Sequence, residues 1–168
     1  MSHLSNALRA ATAAALMGSF ACLGTATATA DQNSDTLFGS LSKGYSQSNC
    51  NTTDPVTSAL ATVICGQSPD STGPAKALYA LYSNPTDLAA SFTANLKDET
   101  LSPCGDNQSN PTVWHQGNST SSAGQVACGI YQGNAEVIWT TDAKNVLSWV
   151  RAGNGDIASL YKWWQTNG

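Results

Sequence analysis

The chain has 168 residues, with seven Lys and Arg against eleven Asp and Glu and a formal net charge of −4. Charged residues are only 11% of it and form no basic cluster. Nucleic acid and anionic membrane surfaces, which need a patch of Lys and Arg, are therefore poor partners.

Residues 1–30 read as a cleaved signal peptide rather than as fold. His3 and Arg9 precede an Ala-rich apolar run from Ala10 to Leu23, and Ala28-Thr29-Ala30 has the small-x-small form of a signal peptidase site. Lipid attachment at Cys22 is not expected, because Ser19-Phe20-Ala21 lacks the aliphatic residue such a box needs. Residues 31–168 are one domain's worth of chain, a single secreted domain. That segment holds six basic and eleven acidic residues, a net charge of −5, and no further long apolar run. It is not expected to span a membrane. Its four cysteines, Cys50, Cys65, Cys104 and Cys128, imply two disulfides with three conceivable pairings. Cys50–Cys65 with Cys104–Cys128 is the expected pair, the first closing a short loop worth about 3 kcal/mol in the chain-entropy model. No metal site is expected, since no two cysteines have CxxC spacing and His115 is the one histidine after residue 30.

In chain order, Leu37, Phe38 and Leu41 predict a turn or two of helix capped at Asp35. Gly44 to Ser58 is Ser-, Asn- and Thr-rich and reads as a loop pinned by Cys50, while Ala59 to Cys65 reads as a buried strand. Lys76 to Tyr82 has mixed signals and is assigned to strand. The reason is that Asn84-Pro85-Thr86-Asp87 starts a helix right after it, with Asn as cap, Pro at the first position and Asp complementing the dipole. Leu88, Phe92 and Leu96 mark one face of that helix. Leu101 to Pro111 reads as a loop holding Cys104, and Thr112 to His115 as a short strand. Gly124 to Trp139 alternates apolar and other residues on both sides of Gln132-Gly133-Asn134, the pattern of an antiparallel hairpin. Val146 to Arg151 adds a third strand. Asp156 then caps a helix whose Ile157, Leu160, Tyr161 and Trp164 share a face. The whole predicts an α+β domain: an antiparallel sheet of about five or six strands with two or three helices on one face, and two disulfides.

Several landmarks resemble a small actinobacterial, mainly mycobacterial, family of exported domains. They are Gly44-Tyr45 before Cys50, Cys65-Gly66, Gly73-Pro74-Ala75 before Tyr79, Asp87-Leu88 before Phe92, and Pro103-Cys104. Trp114-His115, Gly124-Gln125-Val126-Ala127-Cys128-Gly129, Trp139-Thr140 and Leu160-Tyr161 before Trp163-Trp164 continue the likeness over nearly all of residues 31–168. Such domains occur as small secreted proteins. They also form the extracytoplasmic C-terminal part of some membrane serine/threonine kinases, where a sensing role is attributed to them. The resemblance implies a disulfide-containing extracytoplasmic fold and brings no catalytic residues with it.

Motifs for chemistry are few. No G-x-S-x-G pentapeptide marks a serine hydrolase. His115 would need a hydroxyl such as Ser119 or Ser121 beside it to act as a base, and its ordinary role is a strand-end residue next to Trp114. Asp31, Asn33 and Asp35 open like a calcium loop, but Thr36 and Ser42 stand where its glycine and glutamate belong. Asp98-Glu99 is an acidic pair at a helix end, expected to be solvated. The aromatics are the stronger lead, because Trp163 and Trp164 are successive on one helix and point about 100° apart. Trp163 then falls at the margin of the apolar face, where it either seals the helix edge or, exposed, meets a sugar ring or protein partner. Trp163, Trp114 and His115 are thus the candidate ligand contacts, with no catalytic residue and no cofactor assigned. The expected function is a secreted, non-catalytic binding or sensor-like domain of the cell envelope or extracellular space, its partner a small ligand, an envelope glycan or a protein. The alternatives are a small hydrolase using His115 and a host-facing surface protein without a small-molecule ligand.

Overall fold

The computed structural model describes residues 32–168, and the expected signal peptide lies outside them. Helix α1 covers residues 32–38, α2 Pro85–Asn95 and α3 Ile157–Asn167. The strands are β1 (Cys50–Thr53), β2 (Ala59–Cys65), β3 (Lys76–Tyr82), β4 (Thr100–Ser102), β5 (Thr112–His115), β6 (Ser122–Tyr131), β7 (Asn134–Thr141) and β8 (Val146–Arg151). Among the described residues all eight form one antiparallel sheet in the order β1-β2-β3-β8-β7-β6-β4, with β5 also on β6. Two meanders therefore meet at β3 and β8. The α+β class, the antiparallel sheet and the disulfides Cys50–Cys65 and Cys104–Cys128 are as the sequence predicts.

The sheet is larger than five or six strands because two stretches read as loops pair as strands. Cys50 to Thr53 lies opposite Cys65 to Thr62, in a register that puts Cys50 and Cys65 face to face. Thr100 to Ser102 adds to the far end of β6. Both are short and polar, so neither carries an alternating apolar pattern. Asp35 is not a cap: it lies inside α1, and its carbonyl accepts from Gly39 at 3.0 Å.

The helices also divide between the two faces instead of sharing one. Side chains alternate across a strand. Val63, Tyr79, Val137, Trp139 and Val150 pack with Leu37 of α1 and with Leu160, Tyr161, Trp163 and Trp164 of α3. On the opposite face Ala80, Ala127, Ile138 and Leu147 pack with Leu88 and Phe92 of α2. Strand β7 is covered from both sides, and Ala135 to Thr140 are all buried. Gln132 and Gly133 form its two-residue turn with β6 at φ 50° and 80°, the left-handed pair that a tight hairpin uses.

Aromatic rings link the α3 face together. Trp164 stacks on Tyr161 at 5.3 Å and meets Trp114 and Trp139 edge-on at 5.8 and 5.9 Å. Buried Tyr79 donates its hydroxyl to Ser42 Oγ at 2.9 Å, which ties the segment after α1 onto the sheet. On the outer side of β6, β4 and β5 leave a gap that Asn110 fills. Its Nδ2 donates to the carbonyls of Ser102 and Cys128 at 2.5 and 2.7 Å, and its Oδ1 accepts from the Cys128 amide at 3.2 Å. The side-chain amide thereby does the work of a strand backbone.

Candidate functional site

One helix cannot cover the face that α2 occupies. An eleven-residue helix is about 16 Å long, whereas seven strands side by side span about 29 Å. The part left open is a cleft of about 740 Å³. Ala90, Ser91, Ala94 and Asn95 of α2 form one wall, and Leu78, Leu147 and Trp149 of the sheet form the floor. Val56, Thr57 and Ser58 close one end; the Val56 amide donates to the buried Thr62 hydroxyl at 3.0 Å, which holds that loop against β2.

The other end is charged. In adjacent strands Gly129, Glu136 and Arg151 stand in register. Glu136 is only 3% exposed, and Arg151 Nε lies 3.4 Å from its Oε1. The Trp149 indole N–H donates to Glu136 Oε2. Arg151 is held in turn by the Tyr131 carbonyl at 3.2 Å and by the Tyr131 ring, 5.4 Å from the guanidinium. Glu99 follows α2 and folds over this group. Gly129 makes room for it: a Cβ there would stand 2.7 Å from Glu99 Oε2. Glu99 is therefore not a solvated helix-end residue, and its Oε2 is buried without a donor.

Burial pushes the Glu99 carboxyl up to about 8, helped by its hydrogen bond to Glu136 and by that residue's charge, with Arg151 pulling the other way. Two carboxylates face one guanidinium, and a proton on Glu99 supplies the charge and the donor otherwise missing. The native state then binds a proton that the unfolded chain, with an ordinary carboxylate, releases. Stability from this source is full only below the ordinary carboxylate range, falls progressively as pH rises above it, and is lost by about pH 8. Asp70, which accepts from the Thr72 amide and hydroxyl, and the helix cap Asp156 are shifted downward and act only at lower pH. The urea midpoint should accordingly fall from pH 5 to pH 8.5 in the wild type and stay level in Glu99→Gln. A midpoint that rises over this range would contradict the arrangement.

None of the three candidate contacts lines this cleft. Trp163 is buried at 4% exposure, since Tyr45 packs edge-on against it at 6.3 Å and Gly73 approaches its indole nitrogen. It lies three residues from Leu160, on an adjoining side of the helix, so the buried stripe of α3 is wider than one face. Trp114 is half-buried, donating to the Thr140 carbonyl at 2.8 Å. His115 is exposed, with Nδ1 3.0 Å from the Ser121 carbonyl. A carbonyl only accepts, so the contact keeps the proton on Nδ1. Ser119 Oγ is taken up by the Ser121 backbone and is not paired with the imidazole. Among the described residues no group of three or more His, Cys, Asp or Glu gathers where a metal would sit. No helix there is long and apolar enough to cross a membrane.

No protein-family model, curated protein or solved structure matches the chain. The cleft therefore stands on its own geometry. Glu99, Glu136, Trp149 and Arg151 did not emerge from the sequence as a group. One signal for them was present: Glu136 interrupts the apolar run Ala135-Val137-Ile138-Trp139, and a charge in a strand covered on both faces needs a partner. The partner is visible only once the β7–β8 register is known.

Proposed function

We propose that this chain is an exported, non-catalytic binding domain that holds a small organic ligand in the cleft between α2 and the sheet. The observation that carries this reading is the cleft itself. Its volume is that of small-molecule sites, and its apolar floor ends in a few convergent polar groups. Export is supported by the two disulfides, the signal-like N-terminus and the resemblance to exported, sensor-like domains. The contact between Glu99 and Glu136 also favours binding over glycoside hydrolysis, which sets its two carboxyls roughly 5 Å or more apart. Nothing at His115 favours a hydrolase.

Three biphenyl probes test the cleft: biphenyl-4-ylmethanamine, the neutral biphenyl-4-ylmethanol and biphenyl-4-ylacetate. At roughly −0.3 kcal/mol per non-hydrogen atom such probes should bind with a Kd near a millimolar. At least one should shift the indole N–H resonance of Trp149. Ala90 is exposed on α2 and lines the cleft, so Ala90→Trp should fill it and abolish binding while leaving the unfolding midpoint nearly unchanged. If none of the three probes moves the Trp149 signal, or Ala90→Trp binds as well as wild type, the reading is wrong.

A further inference from the structure

The charged end of the cleft has an unbalanced charge count. Glu99 is faced by Glu136 from β7, Arg151 from β8 and Tyr131 from β6, with Asp98 beside it in the chain. Asp87, in the first turn of α2, also lines the cleft but is occupied in the cap, where its Oδ2 accepts from Asn84 Nδ2 at 2.7 Å. Lys76 pairs in register with Arg151 and is exposed. Among these groups the cation placed against a carboxylate is Arg151, and Glu136, Tyr131 and the Tyr131 carbonyl already engage it. Glu136 is more than nine-tenths buried, with the Trp149 indole on its Oε2 and, on its Oε1, the Arg151 ion pair at 3.4 Å but no hydrogen bond. Ionising Glu99 would put a second carboxylate on this spot, where the cation that acts on it, Arg151, is already engaged by Glu136.

We propose that the ligand of the cleft carries a protonated amine, with Glu99 and Asp98 receiving the ammonium group and Leu78 and Trp149 the carbon body. The inference rests on the cleft reading above and names its ligand chemistry. Ligand ammonium takes the place of the proton on Glu99, which leaves to solvent, so each binding event releases up to one proton below the titration of that group. A neutral ligand has no such exchange to offer. An anionic one meets Asp98 and the Glu136 carboxylate.

The same biphenyl probes separate the two levels. The ammonium probe should bind at least about tenfold more tightly at pH 8.5 than at pH 6, because Glu99 is ionised mainly at the higher pH. Calorimetry at pH 7 in buffers of different ionisation enthalpy should show proton release. Glu99→Gln should lose the pH dependence and weaken the ammonium probe about tenfold, with little effect on the neutral one. Gly129→Ala, which displaces Glu99 without removing it, should reduce the pH dependence in a folded protein. If the neutral or anionic probe binds the wild type as tightly as the ammonium probe, the amine inference fails while the cleft stands. Ammonium binding without pH dependence or proton release also overturns it. If no probe binds, both fall.

Discussion

Replacing Gly124 with alanine should destabilise the protein by about 3 kcal/mol, the upper end of what is seen when a packed interior is forced to take extra volume. A Cβ at this position would stand 2.1 Å from the Thr140 carbonyl oxygen and 2.6 Å from the Thr140 hydroxyl. The carbonyl belongs to β7 and also receives the Trp114 indole N–H, while the hydroxyl accepts from the Gln125 amide. One methyl group therefore disturbs β5, β6 and β7 together, and none of its obstacles is the free end of a flexible side chain. Gly66→Ala is the comparison, since nothing lies within 4 Å of its added Cβ. Urea unfolding of both variants decides the matter. A Gly124→Ala midpoint close to that of Gly66→Ala would show that β6 and β7 are less closely joined than described.

Glu136→Ala should cost a similar amount, about 3 kcal/mol, because it removes one member of a buried charged group and leaves the others in place. The Trp149 indole N–H and the Arg151 guanidinium both lose their carboxylate. Glu99 loses the hydrogen bond and the charge that, after burial, hold its proton on, so its titration should move down toward the ordinary carboxylate range. Glu136→Gln keeps the shape and an acceptor for the indole, and should cost less than half as much. Carbon-detected NMR of the glutamate carboxyls would follow the Glu99 shift directly. Should Glu99 titrate unchanged in Glu136→Ala, burial alone would account for its proton and the two residues would not act as a pair.

The legible parts of this fold are those written in local pattern. Asn84 caps α2 as expected, its side chain accepting from the Asp87 amide at 2.9 Å, and Asp156 does the same for α3 toward Ser159 at 3.0 Å. The alternation around Gln132-Gly133 specified the β6–β7 hairpin, and the cysteine spacing fitted the pairing that formed. Three features depended on long-range placement and left weaker traces. The cleft exists because α2 is short relative to the sheet, a comparison that needs the strand order. Its charged end joins Glu99, Glu136 and Arg151, which lie far apart in sequence and meet only through the β6–β7–β8 register. Trp163 seals the edge of its helix, one of the two roles its spacing allows, and the partners that bury it beyond the sheet, Tyr45 and the loop at Gly73, come from far away in the chain.

The way β6 ends the sheet has a consequence for life at high concentration. A long open strand at a sheet margin is a template on which other copies of a chain can stack. Here the ten-residue β6 is shielded by two fragments, β4 with three residues and β5 with four, and the seam between them is stopped by the Asn110 side chain. The opposite margin, β1, is only four residues long and is bonded to β2 through Cys50–Cys65. Neither margin offers a stranger an uninterrupted row of free amides and carbonyls. For a domain that leaves part of the sheet open beside α2, blunt margins disfavour indiscriminate self-stacking.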